Sequence, residues 1–151
     1  MNKNEIYFSG SIRGGRQDVE IYFQLIDHLK KYGAVLTEQI GEKGLPVLGE
    51  DNLTDPYIHD RDMEWLSRSN IVVAEVTTAS LGVGYELGRI VERNLWAPEK
   101  ERKRILCLYR PTIDKKLSAM IAGSPAIINK EYNTIEECIR HIDEFFALKT
   151  T

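Results

Sequence analysis

A serine, three glycines and a carboxylate lie close together in segment 80–88, Ser-Leu-Gly-Val-Gly-Tyr-Glu-Leu-Gly. The apolar run 71–76 comes directly before this segment, and a helical pattern of apolar residues follows it. Glycine lets a backbone approach a ligand closely, and the free N–H groups at the start of a helix attract anions. We therefore expect a phosphate site at this turn, with Ser80 as a donor and Glu86 beside it as a reactive acid.

Ser80 and Glu86 also have ordinary structural explanations. Serine is a good helix cap, and a glutamate near the start of a helix complements the helix dipole. Glu86, however, falls at the edge of an apolar stripe, so we expect it to be partly buried. The stripe consists of Val83, Leu87 and Ile90. The helix N-terminus should favour the ionised form of Glu86, which suits a nucleophile or a group that stabilises a cation.

Asp62 is the carboxylate least expected from its surroundings. It lies on the apolar stripe of a predicted helix that begins near Pro56, four residues from both Ile58 and Leu66. Burial of a carboxylate is costly unless it is paired or functional, and desolvation would raise its pKa and make it a candidate acid. A satisfied structural aspartate is the alternative. Two carboxylates with separated pKa values are typical of an acid and a nucleophile in glycoside cleavage.

A second glycine-bearing turn, residues 10–16, follows the first predicted strand. Its backbone N–H groups, with Arg13 and Arg16, suit an anion or a nucleotide; a flexible connection with solvated arginines is the alternative. The turn is neither a Walker loop nor a Gly-x-Gly-x-x-Gly motif. Tyr7, on the strand before it, is placed to orient Glu86 by a hydrogen bond, unless it is only a core residue.

The elements that must position these groups alternate between strand and helix. Strands are predicted at 5–9, 34–37, 71–76, 105–109 and 126–128, and helices at 17–32, 56–68, 83–95, 117–122 and 134–148. Gly33 should end the first helix. Such alternation indicates an α/β fold, and we predict a flavodoxin-like, doubly wound, five-stranded parallel sheet in the order 2-1-3-4-5 with helices on both faces. In that order both glycine-bearing turns face one crevice.

Composition limits the class of protein. The chain has 151 residues, 42% of them hydrophobic, and a formal net charge of −3. These values predict one soluble domain, 1–151, with no global attraction to nucleic acid or to a membrane surface. Cys107 and Cys138 indicate a reducing compartment, and no apolar run is long enough for a signal peptide or a membrane span. The histidines follow no metal-ligand spacing. We expect a cytoplasmic protein, with access to the nucleus, and no metal.

Longer motifs are more specific than either turn alone. They lie at 7–16, 36–38, 58–66, 73–77, 80–89, 104–108 and 117–121. Together they resemble the 2′-deoxynucleoside 5′-monophosphate N-glycosidases (N-hydrolases) of the nucleoside 2-deoxyribosyltransferase superfamily. The resemblance covers the chain from about residue 6 to residue 121, and it departs in the 39–55 loop, in 96–103 and after Ala122.

The resemblance implies hydrolysis of the N-glycosidic bond of a deoxynucleoside 5′-monophosphate, with a purine, and first of all dGMP, as the preferred base. The products would be free base and 2-deoxyribose 5-phosphate. By the residue matches, Glu86 would be the nucleophile at C1′, Asp62 would assist at the sugar and the departing base, and Tyr7 would position the carboxylate. No metal or organic cofactor is implied.

The resemblance also implies how the substrate is held. Ser80 and Gly82 would bind the 5′-phosphate, and Ser118 would reach that phosphate from the other subunit of a homodimer. Ile12 would lie against the base. The first turn would line the nucleotide site through Gly10, Ser11, Ile12, Arg13, Gly14, Gly15 and Arg16.

Two other functions fit the same residues. A deoxyribosyltransferase would pass the same glycosyl-enzyme to a second base instead of to water, and the residues do not distinguish the two acceptors. A non-catalytic nucleotide sensor is the other alternative, although a sensor has little need for Asp62 and Glu86 together. The base preference is also open, because the 39–55 loop, where a base would be read, is where the chain departs from the family.

Overall fold

The computed structural model describes residues 4–42, 44, 50 and 52–148. The strands are β1 (Asn4–Ser9), β2 (Gly33–Val35), β3 (Ile71–Glu75), β4 (Arg104–Tyr109) and β5 (Ile128–Glu131). The α-helices are α1 (Val19–Leu29), α2 (Asp55–Arg68), α3 (Leu81–Trp96), α4 (Ala119–Ala122) and α5 (Ile135–Ala147). The sheet has the order β2-β1-β3-β4-β5, and every neighbouring pair is parallel. The predicted fold class and strand order are confirmed.

Successive residues of the central strands enter two different cores, because side chains alternate between the faces of a sheet. Tyr7 and Val72 pack on the face covered by α2 and α3. Phe8 and Val73 pack on the opposite face, under α1 and α5. Every second residue of β1 therefore points toward the helices that carry Asp62 and Glu86.

Hydroxyl side chains cap three of the helices, among them α3, for which the sequence offers Ser80 as a cap. The capping oxygens and the N–H groups that donate to them are Thr54 with Tyr57 (3.4 Å), Ser80 with Val83 (3.4 Å) and Thr134 with Glu137 (3.2 Å). Pro56 lies in the first turn of α2, where its missing N–H costs nothing. These caps place the starts of α2 and α3 beside the carboxyl ends of the strands.

Two local predictions are wrong. Gly33 begins β2 and does not end a helix; a Cβ there would lie 2.2 Å from the carbonyl oxygen of Asn4, so glycine allows β2 to approach β1. The last strand is Ile128–Glu131, not 126–128. Ile127 instead packs into the α2/α3 core, and β5 is an edge strand, which tolerates polar residues such as Asn129.

Of the helices in the described ranges, none is long and apolar enough to cross a membrane.

Candidate active site

A cavity of about 610 Å³ lies at the carboxyl ends of β1 and β3, the neighbouring strands at which the order of the sheet reverses. Its walls come from the turn after β1, from the turn and first residues of α3, and from α2. The two turns touch, since a Cβ on Gly14 would lie 2.5 Å from the carbonyl oxygen of Ala79. Both glycine-bearing turns therefore face one crevice, as the sequence predicts.

Glu86 lies at the floor of this cavity and is held through both carboxylate oxygens. The Tyr7 hydroxyl donates a hydrogen bond to Oε1 at 2.8 Å, and the Ser9 hydroxyl donates one to Oε2. Tyr7 is fully buried and burial raises its pKa, so its phenol remains a donor. The predicted contact between Tyr7 and Glu86 is present, and Glu86 is partly buried as expected.

Burial raises the pKa of Glu86 to about 7, against the two hydrogen bonds from Ser9 and Tyr7, which lower it; the charge of Asp62 raises it further. Burial therefore outweighs the helix N-terminus, which we expected to favour the ionised form of Glu86. The physical reason is position. The helix begins at Leu81, so Glu86 lies beyond the first turn, where the effect of the dipole has faded.

Ser9 is a site residue that the sequence interpretation missed. Its side chain is buried, and it lies two residues after Tyr7 on β1, so both hydroxyls point to the same side of the strand. That spacing was the available signal. A tyrosine at position i and a serine at position i+2, directly before a glycine-bearing turn, can together hold one carboxylate.

Asp62 faces the same cavity from α2 with a side chain that is 22% exposed. Burial raises its pKa, as predicted; Arg61 and His59 oppose that shift, and the charge of Glu50 adds to it. Burial thus raises the pKa of both Asp62 and Glu86. The two pKa values are therefore not shifted in opposite directions.

The start of α3 has the properties expected of an anion site. Ser80 lines the cavity while its oxygen caps the helix, so the structural explanation of this serine holds and leaves its hydroxyl hydrogen free to donate. Gly82 is exposed, and a Cβ there would meet only the Ser80 oxygen, at 3.8 Å. Within the part of the chain that the structure describes, the N–H groups of Leu81 and Gly82 have no hydrogen-bond acceptor.

The turn after β1 divides into lining and supporting residues. Gly10, Ile12, Arg13 and Gly14 line the cavity, whereas Ser11, Gly15 and Arg16 do not. The supporting contacts are the Ser11 N–H with the Tyr22 hydroxyl (3.1 Å) and Arg16 with the Glu42 carbonyl (2.9 Å). The predicted site residues in this turn thus include three that shape the loop from behind.

Ser118 does not line the cavity of its own chain. It is exposed and precedes the short helix α4. His59, which the sequence interpretation did not place in the site, lies at the rim with Nε2 3.2 Å from the Tyr85 hydroxyl. Across residues 4–42 and 52–148 with 44 and 50, no group of three or more metal-ligating side chains is placed to hold an ion.

A buried polar network supports the turn behind the start of α3. Asp18 accepts hydrogen bonds from Thr78 (2.9 Å) and Arg110 (2.6 Å). Glu75, fully buried at the end of β3, accepts one from Thr77. These hydrogen bonds join Thr78 and Arg110 to Asp18, directly before α1, and Thr77 to the end of β3.

Comparison with known proteins identifies the class. A solved structure of a Clostridium botulinum CMP N-glycosidase superposes with a TM-score of 0.61 over 93% of this chain and 98% of that one, at 16% identity, and so shares its fold. The profile of the nucleoside 2-deoxyribosyltransferase family matches residues 6–109. The chain belongs to the nucleoside 2-deoxyribosyltransferase family, and it is an enzyme that cleaves N-glycosyl bonds.

Individual relatives carry more specific names. A Danio rerio protein, 56% identical over 80% of this chain and 79% of its own length, is named 5-hydroxymethyl-dUMP N-hydrolase. A Trichoplax adhaerens protein, 46% identical over 100% of this chain and 99% of its own length, has a provisional name as a 2′-deoxynucleoside 5′-phosphate N-hydrolase.

Proposed function

We propose that this protein hydrolyses the N-glycosidic bond of 2′-deoxynucleoside 5′-monophosphates, releasing the free base and 2-deoxyribose 5-phosphate. One observation carries the proposal: Glu86, held by Tyr7 and Ser9, shares a cavity with Asp62 and with the open start of α3. A carboxylate oriented through both oxygens, with a second carboxylate beside it, suits reaction at a sugar carbon. The nearby anion-binding helix start suits a phosphate on the same sugar. The names of the relatives point to the same substrate class.

In the first step, the bond between C1′ and the base nitrogen breaks and its electron pair passes to the base. Asp62, in its acid form, gives its proton to the departing base. Glu86 stabilises the positive charge that develops at C1′ and then forms a covalent bond to that carbon. Because Tyr7 and Ser9 donate to the two carboxylate oxygens of Glu86, the carboxylate is oriented before the sugar arrives.

In the second step, water attacks C1′ and the bond between C1′ and the Glu86 oxygen breaks. The Asp62 carboxylate, left without its proton by the first step, accepts the proton of the water. Both groups then return to their starting protonation states, so the cycle needs no further reactant.

The phosphate would occupy the start of α3, bound by Ser80 and by the N–H groups of Leu81 and Gly82. This interaction lies away from the reacting carbon, so its binding energy can orient the sugar for the chemical step. Phosphate binding at the start of α3 is also the reason to propose monophosphates as substrates, since a nucleoside has no phosphate to bind there.

Two bases are the leading candidates for the base of the substrate, one from the sequence resemblance and one from the name of a relative. The sequence resemblance implies a purine and first of all dGMP, whereas the Danio rerio relative is named for the modified pyrimidine nucleotide 5-hydroxymethyl-dUMP. Ile12, Gln39 and Ile40 line the cavity, and we propose that they contact the base. Much of the 39–55 loop, to which base reading is assigned, lies outside the described residues: 43, 45–49 and 51.

The test is a product assay with dGMP, dAMP, dCMP, dTMP, 5-hydroxymethyl-dUMP and GMP, together with the nucleoside of each deoxynucleotide that is cleaved. We expect free base and 2-deoxyribose 5-phosphate from at least one deoxynucleotide, and a kcat/KM at least about 100-fold lower for the nucleoside without phosphate. Equal kcat/KM values for a cleaved deoxynucleotide and for its own nucleoside would contradict phosphate binding at the start of α3. Formation of dAMP from dGMP and added adenine would show a transferase instead of a hydrolase.

We also propose that the active form is a homodimer in which Ser118 reaches the phosphate bound by the other subunit. Two exposed apolar side chains support an interface: Leu81, which lines the cavity, is 96% exposed, and Met120, two residues after Ser118, is 82% exposed. Light scattering should give the mass of two chains, and Ser118→Ala should raise the KM for nucleotides more than it lowers kcat. A monomer that is fully active would contradict this proposal.

A further inference from the structure

Arg61 joins two carboxylates that the proposed mechanism treats differently. Its guanidinium donates two hydrogen bonds to Glu50, from Nη1 at 2.9 Å and from Nη2 at 2.7 Å. It donates two more to the Oδ1 atom of Asp62, from Nε at 3.0 Å and from Nη2 at 2.9 Å. Arg61 is 15% exposed and lines the cavity, and no sequence motif singled it out.

The orientation of Arg61 is determined by more than the two ion pairs. Its guanidinium carbon lies 4.6 Å from the centroid of the Trp65 ring, which is one helical turn further along α2. A planar group with paired donors on one edge and an aromatic ring over its face has little freedom to rotate. Arg61 therefore presents Nε and Nη2 to Asp62 in a fixed geometry.

This geometry makes the two oxygens of Asp62 unequal. A carboxylate oxygen has two lone pairs available for hydrogen bonds, and the two N–H groups of Arg61 occupy both on Oδ1. Within the described residues, Oδ2 accepts no hydrogen bond. A proton added to Asp62 must therefore reside on Oδ2.

We propose that Arg61 is a positioning residue for the hydrolysis put forward above, on which this inference rests: it directs the acidic proton of Asp62 to Oδ2, the oxygen available to the departing base, while Glu50 balances its charge. Without Glu50, the full charge of Arg61 would act on Asp62 and hold it ionised. Without Arg61, Asp62 would be free to turn and to carry its proton on either oxygen.

The charged and titratable groups that face Asp62 come from every side of the cavity. Arg61 and His59 on α2 favour its ionised form, and Glu50, on the other edge of the Arg61 guanidinium, favours its acid form. Glu86 on α3 and Tyr7 on β1 are close enough to Asp62 that its charge raises the pKa of both. Arg61 and Glu50 thus act on Asp62 in opposite directions.

The experiment compares Arg61→Gln, Arg61→Lys and Glu50→Gln. Two readouts are used: the pH profile of kcat, and the titration of the Asp62 carboxyl followed by ¹³C NMR and assigned with Asp62→Asn. We expect the pKa of Asp62 to rise in Arg61→Gln and to fall in Glu50→Gln. The limb of the pH profile that Asp62→Asn removes should move in the same two directions. A merely structural role for either residue would not produce opposite shifts.

Arg61→Lys separates charge from geometry. Lysine keeps the positive charge but offers a point charge in place of paired donors. The pKa of Asp62 should therefore stay near its wild-type value, while kcat should fall about tenfold or more with little change in KM, because the proton is no longer confined to Oδ2. A wild-type kcat in Arg61→Lys would overturn the positioning role.

Arg68→Gln is the matched control, since it removes the same charge from the same helix. Arg68 is half exposed and pairs with Glu5 at 2.5 Å, away from the cavity. It should leave both the titration of Asp62 and kcat unchanged. The NMR titration needs no turnover, so opposite pKa shifts without any nucleotide cleavage would reject the proposed function and keep the Arg61 arrangement. Cleavage with an unmoved Asp62 titration would reject the Arg61 inference alone.

Discussion

Glu86→Gln should lower kcat/KM for the best deoxynucleotide at least about 1,000-fold, because it removes the atom that captures C1′ in the proposed mechanism. Glutamine has the same shape, and its amide can still meet the Tyr7 and Ser9 hydroxyls. The loss should therefore appear in kcat, with nucleotide binding largely kept. A variant that retains a tenth of the wild-type rate would show that Glu86 is not the nucleophile.

The same substitution should stabilise the protein at neutral and alkaline pH. Burial raises the pKa of Glu86 from an ordinary value of 4.5 to about 7 in the folded protein. The folded state therefore binds this proton more tightly than the unfolded state, so the free energy of unfolding falls as the pH rises from about 4.5 to about 7. Over that window the loss is on the order of 3 kcal/mol.

Urea unfolding at about pH 5 and about pH 8 checks this expectation. The difference in stability between Glu86→Gln and the wild type should be small at the lower pH and should favour the variant at the higher pH. An equal difference at both values would contradict the cost assigned to the buried charge. A protein that keeps a destabilising carboxylate in a reactive cavity fits the known conflict between stability and activity.

Ser9→Ala is the matched comparison, since it keeps the carboxylate and removes one of its two donors. Both donors favour the ionised form of Glu86, so the pKa of Glu86 should rise above its wild-type value. Activity should then require a higher pH, but it should be recovered there. Recovery at high pH in Ser9→Ala, and none in Glu86→Gln, would separate tuning of the nucleophile from its loss.

Asp62→Asn should lower kcat for natural deoxynucleotides about 100-fold or more, because asparagine cannot deliver a proton to the departing base. A substrate whose leaving group departs without protonation is the sharpest probe. With 4-nitrophenyl 2-deoxyribose 5-phosphate the loss should be much smaller, since nitrophenolate is a stable anion. Equal losses with both substrates would indicate that Asp62 acts on the sugar and not as an acid.

Asp60→Asn provides the control for this second substitution. Asp60 is on the same helix, is 82% exposed and pairs with His59 at 2.9 Å. The change has the same chemistry and removes the same charge, but it lies outside the cavity lining. It should leave both substrates nearly unaffected. A comparable loss in Asp60→Asn would mean that the charge of α2, and not an acid at Asp62, determines the rate.

The sequence by itself determined the strand order and the pairing of the two turns. Apolar runs broken by glycines are local patterns, and in a parallel sheet the strand order brings the turns after β1 and β3 together. The sequence also identified Glu86 and Asp62, because a carboxylate on an apolar helix stripe is visible from helical periodicity alone. The contact of Tyr7 with Glu86 followed from the same topology.

Only the tertiary structure decided the protonation of Glu86, the part played by Ser9 and the arrangement of Arg61 between Glu50 and Asp62. The first two depend on contacts between elements that are far apart in the chain, and the third on how the residues before α2 fold back onto that helix. All three depend on burial, which periodicity predicts only roughly. Arg61 illustrates the reason. A charged residue beside an aspartate on a helix looks like a solvated pair, until the fold places Glu50 on its other edge and closes the cavity around all three.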